Sequence, residues 1–106
     1  MVRQNMASYK LIQNDRMKLL KKFKSSSVQL IITSPPYNIG KSYEKKKSFT
    51  RYLEEQKKTL VECFRVLKKS GNLCWQVGSY FEKSELFPLD IYIHQICKKI
   101  GFKLRN

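Results

Sequence analysis

Four consecutive residues, Ser34-Pro35-Pro36-Tyr37, join a hydroxyl, two rings that stiffen the backbone and an aromatic face. Each proline locks its own φ and restricts the residue before it, so the carbonyls of Ser34 and Pro35 are held in set directions. Pre-aimed acceptors beside a stacking ring suit a flat heterocycle bearing an amine, such as a nucleobase. Two prolines also simply end a strand, and that plainer role uses the same residues.

Other residues have double readings. Lys41, Lys45, Lys46 and Lys47 follow the tetrapeptide in a stretch without periodicity; they suit phosphate contacts or a solvated loop. Tyr80 lies just past Gly78 and, with Trp75, is a candidate to line a base pocket, although a tryptophan inside a strand is commonly core. His94 falls within an apolar helical pattern and reads as structural. Cys63, Cys74 and Cys97 are odd in number, widely spaced and set in apolar patterns. They show neither a disulfide framework nor zinc-site spacing, and read as buried, reduced thiols of a cytoplasmic protein that holds no metal.

The chain of 106 residues has 22 Lys and Arg against 8 Asp and Glu, a formal net charge of +14. Its length allows one small domain, and its charge favours a polyanionic partner, foremost nucleic acid. No apolar run approaches a membrane span, and the N-terminus lacks a secretory signal pattern.

The elements that must carry these residues alternate. Tyr9 to Asp15 reads as a strand ending at a helix cap, and "RMKLLKKF" as a short helix closed by "KSSS". "VQLIITS" is a nearly continuous β-branched run, expected to be buried on both faces of a parallel sheet. From Phe49, "FTRYLEEQKKTLVECFRVLKKSG" predicts a long helix capped by Thr50 and stopped at Gly71, with Tyr52, Leu53, Leu60, Val61, Phe64 and Leu67 on its apolar face. A third strand is expected over Asn72 to Gly78, with Gly78 and Ser79 as its exit loop. A helix from near Pro88 to Gly101 follows, and "FKLRN" would begin a fourth strand. This order predicts an α/β fold, a partial doubly wound and mostly parallel sheet covered by helices. Ser34 to Tyr37 then stand beyond the carboxyl end of a strand, where such sheets bind ligands.

In this setting "TSPPYNIGK" resembles the catalytic motif of the amino-methylating DNA methyltransferases, in which Asp, Asn or Ser precedes Pro-Pro and an aromatic residue. The upstream Tyr9 to Asp15 pattern is similar to that family's, and "RVLKKSGNLCWQVG" resembles its helix end and next strand, with Ser70 where proline is more usual. The resemblance covers roughly Tyr9 to Asn106 and implies the S-adenosylmethionine-dependent methyltransferase fold. It also implies methyl transfer from S-adenosylmethionine to the exocyclic amine of a flipped cytosine (N4) or adenine (N6) in double-stranded DNA, as in restriction-modification. Ser34 in the first position leans toward cytosine. Tyr37 would stack on the base, and the Ser34 side chain and Pro35 carbonyl would accept from its amine. Asp15 would lie near the cofactor, though an aspartate there also serves as a helix cap.

The family's Phe-x-Gly-x-Gly cofactor loop and target-recognising segment have no counterpart in the sequence, whose glycines are Gly40, Gly71, Gly78 and Gly101. Residues 1–106 therefore resemble the N-terminal, catalytic part of a permuted methyltransferase domain. A truncated or split enzyme is the expectation, with a second chain carrying the cofactor loop and with the isolated chain inactive. A basic DNA-binding module and an inactive remnant are the alternatives.

Overall fold

Asp15 begins the first helix, α1 (Arg16–Lys22), by accepting from the backbone N–H groups of Met17 and Lys18, both at 3.1 Å. This computed structural model describes residues 8–35 and 48–105. Lys21 and Lys22 occupy the last turn, where positive charge suits the helix dipole. Residues 8–15 do not form the expected strand. Tyr9 is 97% and Leu11 96% exposed; no neighbouring strand among the described residues pairs with them, and an isolated strand has nothing to satisfy its ladder.

β1 (Val28–Thr33) pairs in parallel with β2 (Leu67–Trp75), joined through α2 (Phe49–Val66). Ser48 rather than Thr50 caps α2, accepting from Arg51 N–H at 3.3 Å. The helix ends at Val66, well before Gly71, because Leu67 is already extended and its N–H closes onto the Cys63 carbonyl. Gly71 has another use. Between the pairs Val28 with Leu67 and Leu30 with Asn72, the register shifts so that residues 68–71 of β2 bulge outward. A Cβ on Gly71 would stand 2.9 Å from the Gln29 carbonyl and 3.0 Å from the Lys68 carbonyl, so only glycine fits that approach. The Gln29 amide fastens the bulge by donating to the Ser70 carbonyl at 3.1 Å.

The buried face of α2 runs through Tyr52, Gln56, Thr59, Leu60, Cys63 and Val66. These follow the 3.6-residue period closely, whereas Val61 and Phe64 fall off it and are exposed. Burial pushes the Cys63 thiol up to about 11, and burial likewise raises Cys97. Cys74, expected inside, is exposed. It pairs with Ile32, and the β1 face carrying Leu30 and Ile32 is uncovered, with Ile32 72% exposed. β1 is thus not buried on both faces, since the described helices leave that side of the sheet open.

A hairpin absent from the sequence expectations follows β2: β3 (Ser79–Glu82) pairs antiparallel with β4 (Glu85–Pro88). Its turn residues Lys83 and Ser84 both have positive φ, +49° and +63°. Phe87 seats the hairpin on Phe49, with ring centroids 4.8 Å apart, and Tyr92 meets Phe49 edge-on at 5.0 Å. α3 (Leu89–Ile100) begins after Pro88 and stops at Gly101, as expected. Gly101 has φ +131°, and a Cβ there would meet the Phe64 ring at 2.9 Å. Residues 102–105 form no fourth strand; Phe102 instead packs edge-on against Phe64 at 5.0 Å. His94 is exposed on α3 rather than buried. Leu89 and Ile93 bury the inner face of α3 with the α2 residues, completing the core.

Candidate active site

Thr33, the last residue of β1, pairs with Trp75, the last residue of β2. The pairing is closed by the residue just past β2, where the Gln76 N–H donates to the Thr33 carbonyl at 2.9 Å. This fixes the backbone from which the next two residues depart. Ser34 is exposed there, and its hydroxyl donates to Oε1 of the Gln76 side chain at 3.0 Å. Pro35 is buried. A polar side chain facing the open end of a parallel pair, next to a buried proline, is thus anchored from one side by the fold and from the other by Gln76.

The remaining motif residues, Pro36 and Tyr37, lie outside the described residues, as do Lys41, Lys45, Lys46 and Lys47. Asp15 stands at the start of α1. Both of its cap hydrogen bonds land on Oδ2, so Oδ1 takes no part in the cap. Tyr80 belongs to β3, paired with Phe87, rather than to a loop. Trp75 is half-buried in β2, and its Nε1 is enclosed with no hydrogen-bond partner among the described residues. The structure therefore joins Ser34 and Pro35 to one strand end, and places Asp15 and Tyr80 on separate elements.

Two residues of this architecture escape sequence reasoning. Gln76 is one; only the register of β2 against β1 brings it to Ser34, and its sole sequence signal is a polar residue set between the apolar Trp75 and Val77. Arg65 is the other. Its guanidinium donates to the Leu20 carbonyl at 2.9 Å, the Phe23 carbonyl at 3.0 Å and Ser25 Oγ at 3.2 Å, while Nε meets Glu62 at 2.6 Å. The backbone adds Ser26 N–H to the Arg65 carbonyl and Ser27 N–H to the Val66 carbonyl. The end of α1 and the entry to β1 are thereby stapled to α2, which sets the line along which β1 delivers Ser34.

The Ser34 hydroxyl oxygen stands just past the end of β1, while Gly71 and Gly101 are both enclosed by packing contacts, which leaves neither of these two to cradle a methionine moiety. Among the described residues no three His, Cys, Asp or Glu side chains gather to hold a metal ion, and no helix is long and apolar enough to cross a membrane.

The chain is similar to known proteins over most of its length. Residues 28–106 match the profile of the N6/N4 DNA methylase family, and the chain belongs to that family. It is 40% identical over 98 residues to the type II methyltransferase M.BglII of Bacillus subtilis, covering 92% of this chain and 27% of that relative. It is also 41% identical over 69 residues to the DNA adenine methyltransferase YhdJ of Escherichia coli K12, covering 59% of this chain and 22% of that one. Among solved structures, it is similar to TTHA0409 of Thermus thermophilus, described as a DNA modification methylase, with a TM-score of 0.75 and 33% identity. That match covers 88% of this chain and 40% of the other. The same protein complexed with S-adenosyl-L-methionine gives a TM-score of 0.71 at 32% identity, covering 87% and 39%. The chain thus spans about a quarter of the length of the curated relatives just described and two fifths of the structural one.

Proposed function

We infer that this chain supplies the amine-binding site of a DNA amino methyltransferase, as the N-terminal catalytic part of its domain. The proposed reaction is methyl transfer from S-adenosylmethionine to cytosine N4 or adenine N6 in double-stranded DNA. The observation that carries this reading is the Ser34–Pro35 step at the carboxyl end of β1, fixed by the ladder and by Gln76. Membership of the methylase family supports it.

The target base leaves its stack, at a cost of a few kcal/mol, and lies over the Tyr37 ring. Its amine donates to Ser34 Oγ and to the Pro35 carbonyl, which draw the nitrogen out of conjugation with the ring and orient its lone pair. S-adenosylmethionine, when bound, would supply an electrophilic methyl group, and Ser34 and Pro35 would hold the amine with its lone pair free for that group and with its proton able to leave to solvent. Holding and orienting the nitrogen is the chain's share of catalysis. Asp15, through Oδ1, is the candidate contact to the cofactor. Lys41, Lys45, Lys46 and Lys47 neutralise phosphates, and Tyr80 is a further candidate contact to the DNA. A second chain carrying the glycine-rich cofactor loop would complete the site.

The test is direct. The chain, combined with a polypeptide that carries the glycine-rich cofactor loop, is incubated with duplex DNA and methyl-labelled S-adenosylmethionine, and the DNA is digested to nucleosides. Label in N4-methylcytosine or N6-methyladenine is expected; label in neither rejects the reading.

A further inference from the structure

Serine is an ambiguous partner for an amine. Its hydroxyl carries one donor and two acceptor lone pairs, and the hydrogen rotates to whichever neighbour accepts it. Pointed at the amine nitrogen, it would occupy the lone pair that must attack the methyl carbon. Aspartate at this position has no such difficulty, because an ionised carboxylate only accepts. A methyltransferase with serine there needs another group to take the hydroxyl hydrogen.

Gln76 is placed to do this. Its Oε1 accepts from the Ser34 hydroxyl at 3.0 Å, while its own N–H is held by the Thr33 carbonyl at 2.9 Å. The acceptor therefore hangs from a backbone locked to the residue preceding Ser34, which keeps the root of the Gln76 side chain within reach of the hydroxyl. Both side chains are exposed at the open end of β1 and β2, the side from which a base would arrive. We propose that Gln76 is a positioning residue that turns Ser34 into an acceptor: with the hydroxyl hydrogen committed to Gln76 Oε1, the lone pairs of Ser34 Oγ remain for the amine N–H. Gln76 touches neither the base nor the methyl donor; it acts through Ser34. This inference rests on the methyl-transfer reading above.

The experiment compares wild type with Gln76→Met, which keeps the length without a comparable acceptor, and Gln76→Glu, which keeps the acceptor, in the preparation that methylates DNA. Gln76→Met is expected to lower kcat about tenfold, the scale of one hydrogen bond, with KM for DNA within about twofold. Gln76→Glu, whose carboxylate accepts from the hydroxyl without donating, should hold kcat near wild type at about pH 8. A merely structural role would move KM and thermal stability with kcat, and the glutamate would not restore kcat. If wild type methylates and Gln76→Met keeps its kcat, this inference is overturned while the methyltransferase reading stands. If Gln76→Met loses activity but Gln76→Glu gives no rescue at that pH, the acceptor role is overturned as well. If wild type transfers no methyl, the functional reading fails and this inference falls with it.

Discussion

Asp15 shows how one carboxylate oxygen can satisfy a helix cap without the other. Its Oδ2 takes both cap hydrogen bonds, and Oδ1 takes none of them. Removing the side chain removes the cap, so Asp15→Ala should destabilise the chain by about 1 kcal/mol, measured by urea unfolding, while Asp15→Asn should stay within a few tenths. Asparagine keeps the cap but not the charge. Loss of S-adenosylmethionine binding in Asp15→Asn at unchanged stability would therefore assign the second oxygen to the cofactor. The cap is readable in the sequence from the Asn-Asp pair before a helical run. What lies beyond reach at this scale is the Ser34 to Gln76 contact, because residues 42 positions apart meet only through strand register.

The elements are legible where a local signal coincides with the real boundary. α1 is framed by its aspartate cap and "KSSS", β1 by its β-branched run, and α3 by Pro88 and Gly101. The sequence signal overextends α2 because glycine marks either a helix stop or a close approach of backbones, and Gly71 serves the second. The β3–β4 hairpin stays hidden because its turn places Lys83 and Ser84 at positive φ, where an Asn-Gly pair would have announced it. The expected strand over Tyr9 to Asp15 mixes apolar and polar residues but has no neighbour to pair with among the described residues. Arg65 ties two of the legible elements together. Replacing it by Met leaves the Leu20 and Phe23 carbonyls without this donor, and unfolding free energy should fall by about 2 kcal/mol. Arg65→Lys should recover less than half of that, since a single ammonium cannot reproduce the planar fork. Equal stability of wild type and Arg65→Met in urea titrations would refute the staple.

At the scale of the whole molecule, one parallel pair, one hairpin and three helices among the described residues surround a core centred on α2, and the family assignment rests on residues 28–106. The α/β class is legible because helices and strands alternate along the chain. The uneven burial of the sheet is not, since a run such as "VQLIIT" states that a strand is apolar without stating what covers it. Leu30 and Ile32 lie on the uncovered face, and Cys74 is their exposed neighbour across the pair. That face gives the charge of +14 a second meaning. Mutual repulsion keeps such molecules apart in dilute buffer, as in any charged colloid. At about 1 M salt the screening length shrinks to about 3 Å, and the apolar strips can touch. Light scattering from the protein should therefore rise with salt, and Ile32→Thr, which retains a β-branched side chain, should suppress the rise. A basic surface usually read as an invitation to DNA would then also be what keeps this chain dispersed.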